Sequence, residues 1–370
     1  MAVPLFDLTL QHEQLRPELR RAFESVVDSG HFIMGPAVEA FETKLAEFCG
    51  VKHAIGVSSG ADALTVILMA LDLAPGDEVI TSPMAYVHVA GAIQRAGGTP
   101  VFADINPRTF NLAPESIEGA ITPKTRAILA PHLFGLSANL EAILAIAKAH
   151  GLRVIEDADQ AIGARYQDRQ VGAIGDAGAM SFFPTKNLAA LGDAGAVLTN
   201  DDALAQRVRT MRFHGIQGDY TVHRLGGAFR LDAMQAAMLL VKLPYVEQWT
   251  ARRREIAERY RKRLDDVQVT CPFEDEHRRH AFNQYTIRVR AGGREPLRHH
   301  LAACEIGCRV YYPRPLHLQP CFDHLGYEPG ALPEAERACD EVLSIPIFTE
   351  MTKDQQDHVI QAIRDVFAGD

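Results

Sequence analysis

A chain of 370 residues is too long for one ordinary core, so a large unit over 1–245 and a smaller one over 246–370 are expected. Its composition, 47% hydrophobic and 23% charged, is that of a folded globular protein and excludes a disordered one. A formal charge of −9 with a pI near 5.9 excludes a chain-wide attraction to nucleic acid or to an anionic membrane, and no apolar run reaches the roughly 18 residues of a membrane span. The opening MAVPLFDL lacks the basic and apolar segments of a secretion signal, so a cytoplasmic location is expected. The cysteines at 49, 271, 304, 308, 321 and 339 are scattered and read as reduced thiols. Cys304 and Cys308 beside His299 and His300 make half of a metal pattern, but no second ligand pair follows at metal spacing, so no metal is expected.

From Lys52 to Thr199 short apolar runs alternate with helical patterns. Ala54–Val57 reads as a strand that turns through Ser58, Ser59 and Gly60 into a helix over Ala61–Leu71. Strands are expected at Glu78–Thr81, Thr99–Phe102, Ala127–Ala130, Arg153–Ile155, Ala179–Phe182 and Ala196–Leu198, with helices at Val87–Ala96 and Leu140–His150. This rhythm predicts an α/β fold whose large unit carries a mostly parallel sheet between helices. Beyond Leu198 the pattern turns helical. Asp201–Phe213 opens on a residue suited to capping, and Leu231–Leu243 ends at Pro244. A charged helix follows from about Glu247 to Leu264, and its Arg252, Arg253 and Arg254 read as a solvated face. Tyr285–Val289, Arg309–Tyr312 and the helix Lys353–Phe367 suggest a smaller α+β unit.

Chemistry enters with Lys186, in SFFPTKNL, and Asp157, in VIEDADQ. An aldehyde cofactor of the pyridoxal type needs one amine to hold it as a Schiff base and one carboxylate to keep its pyridine nitrogen protonated, and these two residues fit those roles. Asp157 follows a buried strand, at the edge where open α/β sheets bind ligands. The turn at Ser59, Gly60 and Ala61 opens a helix and can receive a phosphate on its N–H groups. Tyr86 lies beyond another strand end, where an aromatic ring can stack on a flat heterocycle. Each has a bland alternative: a surface lysine, a capping aspartate, an ordinary turn, a core tyrosine. No Walker sequence occurs, and the glycines at 172, 175 and 178 have the wrong spacing for a dinucleotide fingerprint, which disfavours a nicotinamide dehydrogenase.

In order along the chain, GHFIMGP at 30–36, SGADAL at 59–64, EDADQ at 156–160, SFFPTKNL at 181–188, GDAGA at 192–196, RLDAMQAA at 230–237 and YPRPLH at 312–317 resemble the sugar aminotransferases of the DegT/DnrJ/StrS group nearly end to end. That group has fold type I, the aspartate-aminotransferase fold. The resemblance implies pyridoxal 5'-phosphate on Lys186, Asp157 at the pyridine nitrogen, Tyr86 on the ring, Gln160 beside the phenolic oxygen, and Ser181 with Gly60 and Ala61 at the phosphate. It implies homodimers with shared active sites, the loop Gly215–Arg230 reaching the partner's site, and Arg230, Tyr311, Tyr312 and His317 as substrate contacts. Several positions depart from the family pattern: Ala61 lacks a usual hydroxyl, Ala228 replaces an asparagine that reaches the neighbour's phosphate, and Tyr311 replaces a frequent histidine. Met84, His88 and Leu136 are also unusual.

The expected reaction moves an amino group from a donor, L-glutamate by preference, to a nucleotide-linked ketosugar. Phe229-Arg230-Leu231-Asp232 points to sugar C3 over C4. The alternatives are an aminotransferase with a shifted, non-nucleotide ketone and a binding or regulatory protein on the same fold; a related dehydratase, with histidine at the lysine position, is disfavoured by Lys186.

Overall fold

The structure, a computed structural model, describes residues 1–290 and 292–367. Seven strands form the large sheet: β1 (His53–Val57), β2 (Glu78–Thr81), β3 (Thr99–Phe102), β4 (Thr125–Pro131), β5 (Arg153–Asp157), β6 (Ala177–Ser181) and β7 (Gly195–Thr199). Their order is β1-β7-β6-β5-β4-β2-β3. The ladders from β6 through β5, β4 and β2 to β3 are parallel, whereas β7 runs antiparallel to both β6 and β1. Two reversals restore direction, so the carboxyl ends of β1, β2, β4, β5 and β6 all open on one edge of the sheet.

Both faces are covered, which is why the strands read as unbroken apolar runs rather than alternating ones. Val57, Leu64, Ile67, Val79, Val89 and Ile155 belong to the core on one side. Phe41, Leu45, Met180, Phe182, Leu198 and Leu239 belong to the core on the other. The helix after β1, Gly60–Ala70, is apolar nearly all round and correspondingly buried. Among the described residues no helix is long and apolar enough to cross a membrane.

A second, antiparallel sheet is built from β8 (Val269–Thr270), β9 (Tyr285–Val289) and β10 (Val342–Ile345). Its core includes Tyr260, Leu297, Leu301, Ile360 and Ile363. The helix Val246–Arg263 joins the two cores: Val246 and Trp249 pack on the large sheet's side, Ile256 and Tyr260 on the small sheet's.

Two expectations change here. The triple arginine is not a solvated face. Arg253 is 6% exposed and donates to the carbonyls of Phe282 and Ile347, while Arg252 reaches Thr349 and Met351 and Arg254 reaches Glu274 and His280. The helix is wedged between chain segments whose carbonyls need donors, and long cationic side chains supply them. Nor is Arg309–Tyr312 a strand: Arg309 makes an isolated bridge to Ser344, and the chain then leaves the sheet toward the cavity described below. The cap read at Asp201 is present, accepting from Ala203 and Leu204, and the next helix, Ala233–Lys242, starts two residues later than read and is capped by Asp232, which accepts from Gln235.

Behind the edge of β5, Glu156 is fully buried and takes four donors. The N–H groups of Gly172, Ile174 and Gly175 point at it, as does His132 Nε2 at 2.8 Å. His132 Nδ1 accepts from Ala138 N–H, so the proton sits on Nε2. Burial alone would raise the Glu156 pKa, but His132 and the backbone donors outweigh it and hold the carboxyl below its usual value. A group depressed in the folded state contributes stability above its unfolded pKa, about 4.3, and loses it as pH falls through the folded value. Glu156→Gln places an amide NH₂ against these donors. We expect a loss of about 3 kcal/mol at pH 7, shrinking below about pH 4. Denaturant melts at both pH values check this, and a constant difference would refute the charge argument.

Candidate active site

At the carboxyl edge of the large sheet lies a cavity of about 690 Å³. All but its far wall comes from the ends of strands. β1 leads into Ser58–Asp62, β2 into Ala85, Tyr86 and His88, and β4 into His132 and Leu133. β5 supplies Asp157, Asp159 and Gln160, β6 supplies Ser181 with Phe183, Thr185 and Lys186, and Gln284, Arg309, Tyr311 and Tyr312 close the far side.

The turn after β1 is built to face an anion. Ser59 caps the helix by accepting from Asp62 N–H, which leaves the N–H groups of Gly60 and Ala61, the first two of the helix, without intrahelical partners. Close packing fixes the turn. A Cβ on Gly195 would strike the Ser59 backbone, and one on Gly60 would strike the Asp159 carboxylate. Ser181 ends β6 beside this turn and is 8% exposed.

Gln160 is held from both ends. Its Oε1 accepts from Phe134 N–H at 2.8 Å, and its Nε2 donates to Tyr312 Oη at 3.3 Å. Tyr86 is 56% exposed at the cavity, its ring 6.1 Å from that of Tyr312, leaving a face open for a flat ring. Burial pushes the Tyr312 phenol up, so it stays protonated at neutral pH.

The charged floor consists of Asp157, Asp159, His88 and Lys186. Asp157 is 7% exposed and receives Asp159 N–H at 3.1 Å. Burial and then the charge of Asp159 raise its pKa to about 6, against the opposing pull of His88 and Lys186. Burial pulls the Lys186 amine below its ordinary value, although Asp159 and Asp157 act in the opposite sense. A larger neutral fraction follows, which is what an amine needs to bond an aldehyde or to take up a proton.

Of the residues singled out from sequence, Gly60, Ala61, Tyr86, Asp157, Gln160, Ser181, Lys186, Tyr311 and Tyr312 line the cavity. Three do not. Ala228 bridges to Phe213 and Arg230 to Val57, with the Arg230 guanidinium 5.1 Å over the Phe213 ring. His317 is buried against Phe102 and Tyr327 with Nε2 3.1 Å from Glu336, where it ties down the loop whose Gly330 and Leu332 N–H groups the same carboxylate accepts. Sequence reasoning gave no role to Asp159, Asp193, Gln284 or Arg309. Asp159 sits within the EDADQ motif, and its spacing from Asp157 was the available signal.

These residues fit pyridoxal phosphate. A half-buried amine and a buried carboxylate share one floor, an exposed aromatic face stands beside them, and the turn at Gly60 offers unpaired N–H groups to the same cavity.

Comparison with known proteins agrees. Residues 13–364 match the family model of the DegT/DnrJ/EryC1/StrS aminotransferase family. The chain is 48% identical over 370 residues to the pleiotropic regulatory protein of Geobacillus stearothermophilus, covering 99% of each. It is 40% identical over 368 residues to the dTDP-3-amino-3,4,6-trideoxy-α-D-glucose transaminase of Streptomyces venezuelae, covering 98% of this chain and 96% of the relative. The crystal structure of DesV from S. venezuelae superposes with a TM-score of 0.95 at 39% identity, covering 98% of both chains. The chain belongs to the DegT/DnrJ/EryC1/StrS aminotransferase family and is a pyridoxal-phosphate-dependent aminotransferase.

Proposed function

We propose that the chain transfers an amino group from L-glutamate to the C3 ketone of a nucleotide-linked sugar, working as a homodimer with shared sites. The observation that carries the reading is the charged floor on which Lys186 neighbours the buried Asp157, beneath a cavity of about 690 Å³ large enough for a cofactor and a sugar. A relative named for a dTDP-linked 3-amino sugar, 40% identical, supports the C3 position. Bound there, pyridoxal phosphate supplies an aldehyde to carry the amino group and a pyridinium ring to accept electrons.

The chain's own residues do the rest. Gly60 and Ala61 N–H groups and Ser181 Oγ hold the phosphate, Tyr86 covers the ring and keeps water from it, and Gln160, fixed by Phe134 and Tyr312, orients the phenolic side. Lys186 Nζ would hold the cofactor through its aldehyde and would move a proton at the substrate carbon. Arg309 lines the cavity opposite as a fixed cation suited to a carboxylate or phosphate. The regulatory name carried by the 48% identical relative motivates a second reading, a regulatory protein on this fold, but an intact lysine and aspartate in an open cavity favour turnover. Two half-reactions decide. L-glutamate should convert the bound cofactor to its amine form, and a dTDP- or UDP-linked 3-ketohexose should return it. Conversion by neither substrate would overturn the reading.

The homodimer rests on an apolar surface with no cover within one chain. Phe213, Tyr220, Val222 and Leu225 are exposed along the hairpin that pairs Ile216–Gln217 with Thr221–Val222, and Arg230 stands at its base outside the chain's own cavity. Mixing Lys186→Ala chains with Arg230→Ala chains should restore activity to one site in each heterodimer. No recovery after demonstrated subunit exchange would place Arg230 outside the shared site.

A further inference from the structure

His88 is a charged residue that the transamination chemistry above does not use. It opens the helix His88–Arg95, two residues beyond Tyr86, and its side chain is 12% exposed. Its Nε2 stands 3.1 Å from Asp159 Oδ2 and 3.9 Å from Asp157 Oδ2. A nearly buried histidine is ordinarily a satisfied one, but here neither ring nitrogen makes a well-angled hydrogen bond among the described residues, and Asp159 Oδ1 also lacks a partner. The contact is therefore one of charge rather than of hydrogen-bond geometry.

We propose that His88 is a positioning residue: its imidazolium neutralises Asp159 and so leaves Asp157 ionised and aimed at the pyridine nitrogen. The proposal rests on the role of Asp157 given above. Two carboxylates two residues apart share this floor, joined through Asp159 N–H and Asp157 Oδ1, and the Asp159 carboxylate lies over Gly60, in space that a side chain there would fill. Like charges so placed hold a proton between them, and a protonated Asp157 cannot pair with a pyridinium. The groups that face His88 are Asp159 and Asp157 from the end of β5, Lys186 from the loop after β6 and the Tyr86 ring at 5.4 Å. Lys186 is the other cation there, and its amine is committed to the aldehyde, so the imidazolium is the charge that offsets the second carboxylate. Burial opposes that charge, but the contact with Asp159 and the charges of Asp159 and Asp157 outweigh it and raise the His88 pKa.

The test is a cycle of cofactor binding by the full-length protein, freed of cofactor and titrated with pyridoxal phosphate. His88→Gln should weaken binding roughly tenfold or more near pH 7, the equivalent of a pKa unit lost from Asp157. Asp159→Asn removes the charge that needs offsetting, so adding it to His88→Gln should bring affinity back to within about threefold of Asp159→Asn alone. A second signature needs no His88 variant. In the parent, affinity should fall on the alkaline side as the imidazolium deprotonates, and Asp159→Asn should flatten that fall. Purely multiplicative effects in the cycle, or an unchanged alkaline limb in Asp159→Asn, would overturn the proposal. Asp157→Asn serves as reference. If it binds like the parent, the pyridinium role fails and takes this proposal with it; if it is impaired while His88→Gln binds like the parent, only the role of His88 fails.

Discussion

Replacing Lys186 with alanine is expected to lower turnover roughly 10³-fold or more, because one side chain both holds the cofactor's aldehyde and moves the substrate proton, and neither task has a substitute nearby. Arg309 is the other long cation lining the cavity, and a guanidinium cannot be neutral at working pH and so cannot take either role. The variant should still bind the cofactor through Gly60, Ala61, Ser181 and Tyr86, so affinity should drop far less than rate. Borohydride reduction of the parent followed by peptide mapping should place the label on the 181–188 peptide and nowhere else. A label on another lysine, or turnover within tenfold of the parent, would remove Lys186 from the centre of the chemistry.

The strand ends were the legible part of this site. Gly60, Tyr86 and Asp157 each follow an apolar run, and because parallel strands open on one edge, reading the runs in order points those residues to one cavity; Ser181, within the run Ala179–Phe182, entered only through the family resemblance. The pairing of β1 with β7 could not be read that way. Antiparallel ladders on either side of β7 leave no mark in an unbroken apolar run such as Ala196–Leu198, which a parallel strand would share.

Charge placement was less legible still. Arg253 reads as a surface residue because its neighbours in sequence are charged, and what buries it are the carbonyls of Phe282 and Ile347, 29 and 94 residues away. His88 and Asp159 meet across 71 residues of chain (159 minus 88), a proximity that periodicity does not report. His317 illustrates the reverse. It stands in a family motif, yet the fold turns it inward to Glu336, a half-buried carboxylate that already holds two loop N–H groups.

Asp157→Asn is expected to cost roughly 10²–10³-fold in turnover, the scale found when one preorganised electrostatic contact is removed from a buried site. The amide keeps the shape and can still accept Asp159 N–H, which the carboxylate takes through Oδ1 at 3.1 Å, so the fold around the floor should survive. What it loses is the negative charge that holds a proton on the pyridine nitrogen, and with it the ring's capacity to accept electrons from the substrate carbon. The pH dependence gives the prediction a second edge. Burial and the neighbouring Asp159 put the Asp157 pKa at about 6 in the cofactor-free protein. A carboxyl raised in this way is ionised above that value and neutral below it, so the parent's cofactor affinity should fall as pH drops through about 6, whereas the asparagine variant, with nothing to protonate at that atom, should start weaker and lack that limb. Titrating both proteins with pyridoxal phosphate between pH 5 and 8 measures this, and parallel curves would show that Asp157 is not the pyridinium's partner.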